Sequence, residues 1–135
     1  MIRYVFIILV LFSPFAFSSE VDCEKAFTTI DINYCLGLEL EAAEKEMQRY
    51  LTKSLEHQNH DQELVQSIQQ AQKLWEKYAE AHCDSVYTMW RGGTIRGAMA
   101  ITCQMSLTQK RTHELWSQYL TYMDSTEPVL LEPQI

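Results

Sequence analysis

The chain has 135 residues, with 18 acidic side chains against 11 basic ones and a formal charge of −7. That balance argues against nucleic acid and anionic lipid as partners and is compatible with a cationic protein. The length suits one domain with one modest core, and only four glycines and three prolines favour helices over a turn-rich β fold.

The first residues read as an export signal. Arg3 precedes an unbroken apolar run from Tyr4 to Phe12, Pro14 breaks the run, and Ala16-Phe17-Ser18-Ser19 supplies small residues for cleavage. The run is too short to anchor as a spanning helix. We place the signal peptide at residues 1–18. Its removal takes Arg3 and no acidic residue, so the charge becomes −8. A lipid-anchored form needs cysteine directly after the cut, whereas Cys23 follows Glu20-Val21-Asp22. The expectation is therefore a soluble exported protein without a membrane anchor, periplasmic in a Gram-negative cell.

Four cysteines follow: Cys23, Cys35, Cys83 and Cys103. An even count behind a secretory leader implies disulfides rather than nucleophiles or metal ligands. Three connectivities are open. Sequential pairing closes one short loop at each site. Pairing Cys35 with Cys83 and Cys23 with Cys103 also works if helices one and two fold back near residue 59. No Cys-x-x-Cys pair occurs.

Thr28 and Thr29 before Asp31 form a helix-capping pattern. Leu36, Leu40, Ala43, Met47, Tyr50, Leu51 and Leu55 then recur at helical spacing to about His57. Asn59 or Asp61 caps a second helix, expected to run to about Tyr87, roughly 40 Å at 1.5 Å per residue. Its stripe is Leu64, Ile68, Ala71, Trp75, Tyr78 and His82, which makes Trp75 and Tyr78 core residues and His82 a core histidine. Gly92-Gly93 breaks the pattern, and Thr94 is the expected cap of a third helix. Its stripe runs through Ala98, Ile101, Met105, Thr108, Thr112, Leu115, Tyr119 and Tyr122. Trp116 falls beside it. Residues 124–135, with Pro128 and Pro133, show no period and read as a loose tail. The fold class is thus all-α: residues 19–123 form an antiparallel bundle of three long helices braced by two disulfides.

Motifs for chemistry are sparse. His57-x-x-His60 with Asp61, to which His113 could add a ligand, falls at a polar helix-turn-helix corner, and zinc sites show more ligands at firmer spacing. Metal and cofactor are accordingly expected to be absent. Glu39 shares a helix face with Glu46, and Glu41 with Glu44, but a glycosidase pair needs a cleft and one carboxyl in an apolar pocket. No nucleophile motif or phosphate-cradling loop occurs, so the chain is read as a non-enzyme. The strongest candidate contact site is the helix two–helix three connection. Asp84, Tyr87, Trp90, Arg91 and Arg96 place aromatics and arginine, common interface anchors, on a braced turn. The competing assignment puts Tyr87 and Trp90 in the core and the arginines in solvent.

Asp22-Cys23-Glu24-Lys25-Ala26 with Asn33-Tyr34-Cys35 resembles the first cysteine pair of the LprI-type lysozyme inhibitor domain. Ala71-Gln72, Trp75, Tyr78 and Cys83 resemble its second block. Gly92-Gly93-Thr94-Ile95, Cys103, Leu107-Thr108, Arg111 and Glu114-Leu115 resemble its third. The likeness spans Asp22 to about Leu120. Departures are Glu44 for a usual aspartate, Met47-Gln48 for leucine-asparagine, and Ala79 where arginine is common. The resemblance favours the sequential pairing, Cys23–Cys35 and Cys83–Cys103. It implies binding and inhibition of a lysozyme-like muramidase, as a lysozyme inhibitor or an immunity protein. The alternative is a non-inhibitory periplasmic binding or assembly module. Oligomeric state is left open.

Overall fold

The computed structural model describes residues 21–134, so the expected signal peptide lies outside the described residues. A short 3-10 turn, Cys23–Lys25, leads into three helices: α1 (Thr29–His57), α2 (Gln62–Met89) and α3 (Arg96–Tyr119). No strand occurs among the described residues.

The helix ends follow local chemistry, with one exception. Thr28 Oγ1 accepts from the Asp31 amide at 3.1 Å and its hydroxyl donates back to the Asp31 carboxylate at 2.6 Å, which satisfies one free amide and sets an acid near the positive end of the helix. Asp61, not Asn59, caps α2 by accepting from the Leu64 amide at 3.0 Å. Thr94 does not cap α3. The chain is still in its turn there, Ile95 occupies the cap position without a side-chain bond, and the Met99 amide closes the first turn on the Ile95 carbonyl at 3.0 Å.

Helix α1 runs parallel to α3. Gly97 abuts the Asn33 side chain near their starts, and Gln58 Nε2 donates to the Tyr119 carbonyl near their ends at 3.2 Å. Short connections turn α2 antiparallel to both. Helix α3 packs closely on each neighbour, while α1 and α2 approach one another less closely. The buried cluster comprises Met47, Tyr50, Leu51, Ile68, Leu115 and Leu120, with Leu55, Leu64, Trp75, Trp116, Tyr119, Val129 and Leu130 packed around it. It lies toward the α1–α2 turn. Thr112 continues the α3 stripe with its hydroxyl satisfied, because Thr112 Oγ1 donates to the Thr108 carbonyl at 2.9 Å.

Helix α2 is rotated relative to the expected stripe. Ile68 is buried and Trp75 partly so, but Tyr78 is 55% exposed and Ala71 and His82 also face outward. Tyr78 and His82 stack on each other at 5.5 Å, outside the core. The inward line is Ile68, Gln72, Ala79 and Cys83. Cys83 must face α3 to reach Cys103, and the neighbouring His82 then points about 100° away. Gln72 can be buried because Arg111 Nε donates to its carbonyl at 3.1 Å and its own amide donates to Glu76 at 3.2 Å.

Residues expected as a loose tail are irregular, yet part of the segment is tied to the bundle. The α3 pattern stops at Leu120, and the Val129 amide bonds the Leu120 carbonyl at 2.8 Å. Tyr50 Oη donates to the Leu131 carbonyl at 2.6 Å, Trp116 Nε1 donates to the Leu130 carbonyl at 2.9 Å, and Pro133 is buried. Two aromatic side chains that carry polar tips need acceptors when buried, and a backbone strap supplies them. Burial also pushes the Tyr50 hydroxyl above its ordinary pKa.

Two substitutions in α2 report its rotation. Gln72→Ala strips the Arg111 guanidinium of its buried acceptor and costs about 1–3 kcal/mol in denaturant unfolding, whereas Tyr78→Ala on the exposed face costs less than about 1 kcal/mol. Equal costs contradict the inward line of Ile68, Gln72, Ala79 and Cys83. For the strap, Tyr50→Phe removes one buried hydrogen bond worth about 1 kcal/mol. The Val129 amide should then exchange faster with solvent, while amides in the middle of α2 remain unchanged.

Candidate functional site

Both disulfides lie in the half of the bundle away from the apolar core. Cys23–Cys35 ties the 3-10 turn onto α1, and Cys83–Cys103 ties the end of α2 to α3, each with Cα atoms 5.6 Å apart. The pairing is the sequential one, and no described cysteine is free. Cys35 and Cys83 are themselves buried. Covalent links thus hold the end where side-chain packing is thin.

The α2–α3 connection sits on this frame. Its turn is closed by backbone bonds from the Trp90, Arg91 and Gly93 amides to the carbonyls of Val86, Thr88 and Trp90. Neither Gly92 nor Gly93 adopts a positive φ. Their contribution is to end α2, since glycine is a poor helix former. Tyr87 is 39% exposed and Trp90 37%, so both remain accessible rather than completing the core. Arg96 places its guanidinium over the Tyr87 ring, 4.8 Å from the centroid. Asp84, Arg91 and Arg96 are exposed, and Arg91 Nη1 donates to the Thr88 carbonyl at 3.4 Å. The structure therefore brings Tyr87 and Arg96 into contact. Asp84 forms no ion pair with either arginine among the described residues.

Sequence reasoning missed a second set of apolar side chains at the same end. Phe27 is 84% exposed and Ile30 80%, and Tyr34 and Leu38 are also exposed. The contact between Gly97 and Asn33 places the start of α1 beside the start of α3, and hence beside the turn that carries Trp90. Met89 and Ile95 on that turn are exposed too. The missed signal was legible: Phe27 just before the α1 cap, then Ile30, Tyr34 and Leu38 on α1, recur at spacings of three and four, a second apolar line beside the core face of that helix. Exposed apolar side chains gathered at one end make a candidate interaction surface.

The other chemical candidates do not assemble. His57 meets Tyr122 edge-on at 5.9 Å, and His113 Nε2 lies 3.2 Å from Glu132. Among the described residues no group of three or more His, Cys, Asp or Glu is placed to hold a metal ion. Glu39 and Glu46 do line one hollow of ≈ 310 Å³. Arg49 grips Glu46 through two bonds of 2.8 and 2.6 Å, which holds its carboxyl below the usual range. A glycosidase acid needs the opposite shift. Among the described residues no helix is long and apolar enough to cross a membrane.

A curated relative from Rhizobium meliloti (strain 1021), itself described as uncharacterized, is 30% identical over 107 residues, covering 71% of this chain and 77% of the relative. No solved structure matches. The model of the family described as lysozyme inhibitor LprI matches residues 22–115, a stretch that contains both disulfides, all of α1 and α2 and most of α3. The chain belongs to the lysozyme inhibitor LprI family.

Proposed function

We propose that this protein is exported to the periplasm, where it binds and inhibits a lysozyme-like peptidoglycan hydrolase. The contact is made with the disulfide-braced end of the bundle. Membership of an inhibitor family supports the activity. The observation that carries the choice of surface is the exposure of Tyr87, Trp90, Phe27 and Ile30 on a covalently stiffened end. Rigid aromatics flanked by arginine lose little entropy on binding and are the usual energetic centre of protein interfaces.

Charge assists the same reading. Lysozyme-like hydrolases that act on a polyanionic sheath are typically cationic, and a chain of formal charge −8 after leader removal attracts them at long range. Such attraction mainly speeds association and weakens with salt. Affinity then depends on the packed contact. The inhibitor role of Asp84, Arg91 and Arg96 is to frame the aromatic pair and fix its orientation against the partner.

A muramidase assay with the purified, oxidised protein tests the function: near-stoichiometric addition should abolish hydrolysis by a sensitive enzyme. Unchanged turnover against a panel of lysozymes refutes inhibition and favours a binding or assembly module. The paired substitution Trp90→Ala with Arg91→Ala should weaken inhibition at least about tenfold, or roughly 1.4 kcal/mol, with helicity by circular dichroism unchanged. Full inhibition by that variant removes the α2–α3 turn as the contact. Cys83→Ser with Cys103→Ser should lower unfolding stability by about 3 kcal/mol and weaken inhibition as the turn loosens.

A further inference from the structure

A second surface lies along the bundle, away from the disulfide-end aromatics. Because α3 packs closely on both neighbours and α1 meets α2 less closely, a groove of ≈ 480 Å³ opens between α1 and α2. Met47, Trp75 and Ala79 form its apolar part, while Glu44 on α1 and Glu76 and Glu80 on α2 supply carboxylates. No lysine or arginine lines it.

The groove gathers three exposed carboxylates with no base among its lining residues. Four other carboxylates, those of Asp22, Glu46, Glu56 and Glu114, are each matched by a base three residues away. None of Glu44, Glu76 and Glu80 takes part in an ion pair among the described residues. Glu76 only accepts a bond from Gln72. Glu76 and Glu80 stand four apart on one helix face, a like-charge pair that opposes folding. Three such carboxylates beside an indole ring and a thioether make a surface complementary to a cation with an apolar neighbour.

We propose that this groove receives an arginine side chain, together with an adjoining apolar residue, from an extended segment of the protein partner. A guanidinium is planar and weakly hydrated, so it can lie on the Trp75 ring and bond carboxylates at once. Met47 and Ala79 offer the flexible and small surfaces that accept an apolar neighbour. This deepens the binding reading above by naming the chemistry of a second contact, and it rests on the partner being a protein.

The probe is an acetylated hexapeptide alternating arginine and leucine, titrated into the ¹⁵N-labelled, oxidised chain. Saturable shifts are expected at the Trp75 indole N–H and the Ala79 amide, with affinity falling several-fold when salt is raised. Replacing arginine by neutral citrulline should reduce binding at least tenfold, as should Glu44→Gln, Glu76→Gln and Glu80→Gln combined. If the triple variant loses helicity, Glu80→Gln alone should still reduce affinity several-fold. Trp90→Ala with Arg91→Ala should bind the peptide as the parent does. Absent saturation, equal binding of the citrulline peptide, or equal displacement by the polyamine spermine overturns the proposal. Peptide binding without muramidase inhibition would sink the inhibitor reading and leave the groove standing; inhibition without peptide binding does the reverse.

Discussion

Joining Cys83 to Cys103 sets the rotation of α2 against α3, and the character of both candidate surfaces follows from that rotation. With Cys83 facing inward, Ala79 and Gln72 face inward with it, and Tyr78 and His82 are carried to solvent. Trp75 is left at the margin, packed against the core on one side and lining the α1–α2 groove on the other. A rotation of one residue, about 100°, would exchange these faces. The cross-link also closes the loop that carries Trp90 and Arg91, so the order of that turn does not depend on burying its aromatics.

The molecule divides its stabilisation between two ends. Toward the α1–α2 turn, Tyr50, Ile68, Leu115 and Leu120 are almost wholly buried. The C-terminal strap covers them and receives the hydrogen bonds of Tyr50 and Trp116. At the other end large apolar side chains remain outside, and cystines hold what packing does not. A small domain cannot bury every apolar residue it carries. Placing the cross-links where the apolar residues are exposed lets a surface stay apolar and rigid at once, which suits a surface that binds.

Asymmetric packing creates the groove. Helix α3 uses small or short side chains, Ala98, Thr108 and Thr112, along the face it shares with its neighbours. They permit close approach on both sides and leave α1 and α2 less closely joined. Polar groups enclosed by this arrangement are largely bonded, as the chain from Glu114 through Arg111 and Gln72 to Glu76 illustrates. Asn33 Oδ1 and Arg111 Nη2 are buried without a partner. The first lies beside Gly97, where an added Cβ would come within 2.7 Å of the Asn33 amide nitrogen, so glycine permits that contact.

Helix number, the cap at Thr28, Asp61 as one of two candidate caps for α2, the break at Gly92-Gly93 and the core face of α1 were all legible in the amino-acid order. They rest on local propensity and on periodicity, which need no partner to be read. The cysteines alone left their pairing open, and it took a family resemblance to favour the one that forms. The expected turn residues Asp84, Tyr87, Trp90, Arg91 and Arg96 do lie at the stapled end, but the apolar residues from Phe27 to Leu38 form a second line that periodicity does not separate from the core face of α1. Tertiary structure decided the rotation of α2, the docking of residues 129–133, and which carboxylates face a groove. Neighbouring positions along α2 offered two stripes of similar spacing, and no local rule ranks them. Only the geometric demand of a cystine on α3, and the acceptors that two buried aromatic tips required, selected one arrangement.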